Sequence, residues 1–268
     1  MRTGLWRFAL LLSPGLLSAQ LPADLARDRA DYTAWLTSSP ISPVAAIARQ
    51  PIGAGIRLGP PDADLPLDGI PQHRLTERGG AARLEAPAGG RTVPRGTPIR
   101  LGRYTLTVDG PAGNAVVTAF APIRAAKQPA YYDYQPSLVF TGPLRPPERP
   151  GTVRVLAPDG LEVEAAEAGT VVVPIGGTRV RLRVLRLPTA GGEESELEIF
   201  FRDGTNGRGS YPAGRFVQLE PDPDGRFRLD FNRARNPFCA YSSAYACPAP
   251  WRGNALPAPV AAGERYEE

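Results

Sequence analysis

Residues 215–232 read RFVQLEPDPDGRFRLDFN, and this stretch decides the fold class. Two short runs rich in Phe, Val and Leu flank a Pro-Asp-Pro-Asp-Gly segment. That order predicts a strand, a tight turn and a returning strand, an antiparallel hairpin. Successive side chains of a strand point to opposite sides. Phe227, Leu229 and Phe231 therefore share one face, and Arg228, Asp230 and Asn232 share the other.

The same pattern recurs outward from the hairpin. TVRVLAP (152–158), LEVEAAE (161–167), GTVVVPI (169–175), TRVRLRVLRL (178–187) and SELEIFF (195–201) each read as strands bounded by turn residues. In TRVRLRV, Arg179, Arg181 and Arg183 alternate with Val180, Leu182 and Val184. An antiparallel strand with a solvated arginine face explains this; a basic stripe for an anionic ligand is the sharper alternative. Upstream, AGIRLG (54–59), AARLEAP (81–87), TPIRLGRYTLTVDG (97–110) and NAVVTAFAP (114–122) are shorter versions. The best helix candidate is PADLARDRADYTAWL (22–36), with Leu25, Tyr32, Trp35 and Leu36 on one side.

The expected fold is all-β: an antiparallel sandwich or two small β-lobes, with one short N-terminal helix. The expected divisions are a signal peptide (1–19), the helix (20–40), a first β-lobe (41–140), a Pro-rich connection (141–151) and a C-terminal β-lobe (152–268). Composition agrees. Hydrophobic residues make up 42% and charged residues 22%, which fits a globular chain. The 31 prolines and 29 glycines favour short strands and many turns over long helices.

MRTGLWRFALLLSPGLLSAQ opens the chain with Arg2 and Arg7 before a short apolar run, then Leu-Ser-Ala before Gln20. This is the pattern of a secretory signal peptide, and the run is too short to span a bilayer. No later segment is apolar enough to do so. The expected location is therefore outside the cytoplasm: periplasmic, cell-surface or secreted. Cleavage after Ala19 would remove two arginines and lower the formal charge from +4 to +2. So small a surplus argues against nucleic acid as a partner. The chain has one histidine, His73, and two cysteines, Cys239 and Cys247. A Cys₂His₂ or His₃ zinc site cannot be built from it, and a Ser-His-Asp triad would have to use His73. No cofactor motif is present.

FRDGTNGRGSYPAGRF (201–216) and LDFNRARNPFCAYSSAYACPAPWRGNALPAPVAAGERY (229–266) carry a motif string that resembles domain-of-unknown-function family 1684. The matching residues are Phe201, Asp203, Thr205, Gly207, Tyr211, Gly214 and Arg215, then Asp230, Phe231, Asn232, Ala234, Asn236, Pro237, Cys239, Ala240 and Tyr241. Cys247-Pro248, Asn254, Leu256 and Ala262-Gly263-Glu264 complete it. Where members tend to carry Pro-Pro after Cys-Pro, this chain has Ala249-Pro250. The resemblance groups the chain and marks site candidates without supplying an activity.

Those candidates are Asp203, Thr205, Tyr211, Arg215, Asp230, Asn232, Asn236, Tyr241, Asn254 and Glu264. Arg215 could clamp an anionic group while the acids and amides orient it. The reading placed slightly ahead of it is a buried hydrogen-bond network of the same residues that fastens loops. Cys239 and Cys247 read first as a disulfide, then as buried thiols, and last as part of a metal or reactive site. The functional expectation is a non-catalytic binding or accessory module for an unknown small molecule or envelope component. The alternative is a hydrolase of envelope or extracellular material using two of Asp203, Asp230 and Glu264.

Overall fold

The computed structural model describes residues 20–126, 128–188, 195–251 and 253–267. The signal-peptide reading of residues 1–19 lies outside them. Helix α1 spans Ala23–Ser38, close to the segment predicted for it. Asp24 stands in its first turn, where a carboxylate suits the helix dipole. Leu25, Tyr32 and Leu36 form its buried stripe. No helix among the described residues is long and apolar enough to cross a membrane.

The next strands are β1 (Ala46–Pro51), β2 (Ile56–Gly59), β3 (Leu65–Pro66), β4 (His73–Arg78), β5 (Ala81–Ala86), β6 (Gly89–Val93), β7 (Ile99–Leu101), β8 (Tyr104–Asp109) and β9 (Val116–Phe120). They build two sheets, ordered β1-β9-β8-β7 and β3-β2-β4-β5-β6. Leu58, Leu75 and Leu84 from the second sheet share one core with Leu106, Val108 and Val117 from the first. This is a sandwich.

The remaining strands are β10 (Val139–Gly142), β11 (Thr152–Leu156), β12 (Glu162–Ile175), β13 (Thr178–Pro188), β14 (Ser195–Phe201), β15 (Arg215–Pro221) and β16 (Phe227–Asp230). They form one seven-stranded sheet ordered β10-β16-β15-β14-β13-β12-β11. Among the described residues, the named strands pair antiparallel except for β2 with β3, and no sheet closes into a barrel. LEVEAAE and GTVVVPI, read as two strands, are one, with a bulge between Glu167 and Gly169. Gly176 and Gly177, at φ 61° and 76°, make the two-residue turn into β13, where both positions need the left-handed region. Arg179 and Arg181 are exposed while Leu182 and Val184 are buried, so the arginine face is the solvated one.

Strands β1, β6 and β10 carried weak sequence signals, and all three lie at sheet edges. Edge strands carry prolines, glycines and polar residues that disguise the alternation. β10 is formed by VFTG, the last two residues of which belong to the Pro-rich stretch, and it pairs with β16.

Both faces of the seven-stranded sheet are covered. On one, Leu182, Val184, Ile199, Phe201, Val217 and Leu219 pack under Leu256, Val260 and Ala262 of the C-terminal tail. On the other, Leu185, Leu187, Phe200 and Phe216 pack with Trp251. The hairpin prediction for β15 and β16 holds, with Leu219 opposite Leu229. Its two-faced pattern stops at the last strand residue, because Phe231–Arg233 turns into a 3₁₀ helix capped by the Asp230 carboxylate. Leu229, Asp230, Phe231 and Asn232 are consequently all buried.

Candidate functional site

Arg215 opens β15 and points to the tail-covered face. Its side chain is 0% exposed. One guanidinium nitrogen, Nη2, donates to Asp203 Oδ2 (2.8 Å) and Val260 O (2.8 Å); Nη1 donates to Ala262 O (2.5 Å). The other oxygen of Asp203 accepts from Thr205 N, Thr205 Oγ1 and Val260 N at 2.7–3.0 Å. The expected anion clamp is thus filled by the chain itself. Arg215 ties the tail to the sheet, and Asp203 ties the turn after β14 to both. Gly263 (φ 75°) lets the tail pass close by: a Cβ there would stand 2.7 Å from the carbonyl oxygens of Phe231 and Ala234.

Two asparagines act as backbone mimics. Asn232 accepts from Gln135 N (2.8 Å) and donates to Gln135 O (3.0 Å). Asn254 accepts from Arg183 N (2.8 Å) and donates to Arg183 O (2.9 Å) and Phe200 O (3.1 Å), bridging β13 and β14 where they part. Asp230 accepts from Asn232 N and from Arg228 Nη2 at 3.0 and 2.9 Å.

Glu264 is buried and accepts from Asn236 N (2.9 Å) and from the Tyr241 hydroxyl. Burial pushes its carboxyl up to about 7, against the opposing pull of those hydrogen bonds and of Arg235. The Tyr241 hydroxyl also meets that of Tyr32 on α1, at 3.1 Å. Cys239 and Cys247 stand at disulfide distance, with Cα atoms 5.5 Å apart. Tyr211 donates to Cys239 O (3.2 Å) and packs on Tyr266. The loop they close lies at the seam with the N-terminal sandwich, where Tyr245 packs with Ala45, Ala46 and Phe120.

The structure therefore gathers the expected residues into a largely buried framework. Of them, Asn236 lines an open cavity beside it. That cavity is a cleft of about 530 Å³ on the opposite face of β14 and β15. Glu196, Glu198, Phe216, Gln218 and Glu220 form its floor. Asp28, Asp31, Tyr32 and Trp35 of α1 form one wall, and Arg233, Arg235 and Phe238 form another. The segment Asn232–Arg235, interleaved with the motif residues, holds α1 in place beside this cleft. Arg235 pairs with Asp28 at 2.7 Å, Arg29 reaches Asn232 O, and Arg233 pairs with Asp24.

Glu198 is 9% exposed, and its Oε2 has no hydrogen-bond partner among the described residues. Burial foremost, then the negative charge of Glu196, pushes its carboxyl up to about 8, with Arg235 pulling the other way. Sequence reasoning passed over Glu198. The signal was present in SELEIFF: a glutamate two residues before Phe200 shares that buried face. His73, the lone histidine, sits on the N-terminal sandwich and bonds the Pro71 carbonyl.

No curated protein matches the chain. A solution NMR structure of an uncharacterized protein from Haloarcula marismortui is similar at 36% identity, covering 52% of this chain and 76% of that one, with a TM-score of 0.44. The family model described as "Protein of unknown function (DUF1684)" matches residues 127–265, over half of the chain and the whole of the framework around Arg215. With that match spanning more than half of its length, the chain belongs to the DUF1684 family.

Proposed function

We propose that this chain is an exported, non-catalytic binding or accessory module that takes its ligand in the cleft between α1 and the β14–β15 face. The observation that carries this reading is Glu198. It is a nearly buried carboxylate whose Oε2 meets no donor, at the floor of an open cavity. Leaving a buried polar atom unpaired costs roughly 1–3 kcal/mol, so such groups mark sites completed from outside. The polar residues of the family motif serve as the scaffold. The Pro-rich stretch at 141–151 joins β10 to β11 within the seven-stranded sheet, so the junction we propose between the two β-lobes falls between β9 and β10.

A hydrolase built on Asp203, Asp230 and Glu264 finds little support. Asp203 is held by Arg215, Asp230 by Arg228, and Glu264 by Asn236 N and Tyr241. None of the three lines the cleft.

Trp35 on the cleft wall provides the test. A fragment library is screened by tryptophan fluorescence, with NMR shifts of Trp35 and residues 196–220 as the second readout. Hits that shift Trp35 together with Glu198 and Gln218 support the reading. A library that binds only elsewhere, or turnover of a polysaccharide or ester substrate, overturns it. For export, the N-terminus of protein recovered from the cell exterior or periplasm should be Gln20; an uncut chain retained in the cytoplasm counts against it.

A further inference from the structure

The cleft's chemistry narrows its ligand class, an inference that rests on the binding reading above. Two residues lining it carry a buried acceptor without a donor, Glu198 at Oε2 and Asn236 at Oδ1. The Asn236 amide cannot be flipped to hide the deficit, because its Nδ2 donates to Arg265 O at 3.1 Å. Arg233 Nε, also without a hydrogen bond, lies 3.6 Å from Asp230 Oδ2 and is committed to that carboxylate. What is missing is a source of N–H groups.

Charge points the same way. Asp28 is matched by Arg235 and Arg233. Asp31, Glu196 and Glu220 enter no ion pair among the described residues. Negative charge is thus in surplus here even without Glu198, on a chain whose formal charge is positive. A cation gathered at this cleft is held by the cleft and repelled by the rest. Among the described residues, no group of three or more Asp, Glu, Cys or His side chains is placed to hold a metal ion. The negative charge is spread along the cleft, which suits an extended cation.

The walls fit such a body. Trp35 and Phe238 stand with ring centroids 5.9 Å apart, and Tyr32 stacks on Trp35 at 5.7 Å. Aromatic faces attract cations and cover methylenes. Arg235, 4.1 Å over the Tyr32 ring, already uses that attraction. An alkylammonium brings three donors and no acceptor, the complement of the two orphan oxygens. A cavity of about 530 Å³ lies in the range of small-molecule sites.

We propose that the cleft binds a small aliphatic di- or polyamine. One ammonium group donates to Glu198 and Asn236, the methylenes lie on Trp35 and Phe238, and a further ammonium meets Glu196 or Glu220.

The test is calorimetric titration of the intact protein at low ionic strength with 1,4-diaminobutane and spermidine. Controls are 1,4-butanediol, which keeps the chain without charge, and succinate, which reverses the charge. The amines should bind and quench Trp35, and both controls should be silent. Glu198→Gln should weaken amine binding tenfold or more. Glu196→Gln, at an exposed position, should weaken it less and guards against a folding defect at Glu198. Amine binding undiminished in both variants means non-specific attraction and overturns the proposal. Butanediol or succinate binding at Trp35, with the amines silent, overturns the ligand class and leaves the cleft reading intact. Silence from every probe, with fragment hits at Trp35, sinks the amine proposal alone; silence from probes and fragments together sinks both readings.

Discussion

Strands β14 and β15 present two faces with opposite fates. On one, Arg215 and Asp203 are sealed under the tail, and each Nη of Arg215 and each carboxylate oxygen of Asp203 meets a partner from the chain. On the other, Glu198 is nearly as buried yet holds an oxygen with no partner. Both faces are rich in charge. The difference is whether the chain finishes its own hydrogen bonds. The sealed face is structure, and the unfinished face is where our proposal places a ligand.

The sharpest way to break the sealed face is Arg215→Met. It strands the Asp203 carboxylate in the interior and releases three tail carbonyls. The expected loss is about 3–5 kcal/mol in urea unfolding, with residues 256–265 becoming protease-sensitive. A smaller effect comes from Cys239→Ser with Cys247→Ser. Opening the short loop should cost roughly 2–3 kcal/mol. Mass spectrometry of the native protein should show neither thiol alkylated before reduction.

On the unfinished face the sign reverses. Glu198 titrates near 8 when folded, against an ordinary value of 4.5. The folded state therefore holds the proton more tightly, and its stability falls as pH rises between those values. Glu196 on its own strand, Glu220 on β15, Asp28, Asp31 and Tyr32 on α1, and Arg233 and Arg235 on the facing loop all surround it. Glu198→Gln should stabilise the ligand-free protein by about 1–3 kcal/mol at pH 9, with little effect at pH 5. Glu264, pushed up to about 7, titrates in both proteins and cancels in the comparison. The smallest effect is reserved for the solvated arginine face. Arg179→Gln with Arg181→Gln should move stability by less than about 0.5 kcal/mol and leave the cleft untouched.

Much of this was legible in the sequence. Alternation located the long strands β12, β13 and β14, and the Pro-Asp-Pro-Asp-Gly segment located the β15–β16 hairpin. Edge strands were harder, because pairing on one side asks less of their side chains. For the site, the motif string picked residues that matter but not how they matter. Nothing local in Asn232 reveals that its amide grips Gln135, 97 positions earlier. Nothing local in Arg215 reveals a tail folding back over it. Glu198 was missed for a related reason. It reads as one polar residue in an alternating strand, and the cleft it floors is walled by a helix from the other end of the chain.

That helix sets an order of events. Residues 29 and 32 of α1 rest on partners 203 and 209 positions later. A helix of 16 residues is marginal alone in water. During synthesis it must wait, undocked, until Arg233, Arg235 and Tyr241 emerge. The cleft wall is consequently among the last parts of the molecule to settle. A nascent chain has no finished cleft, and its wall forms only once the segment from Arg233 to Tyr241 is made.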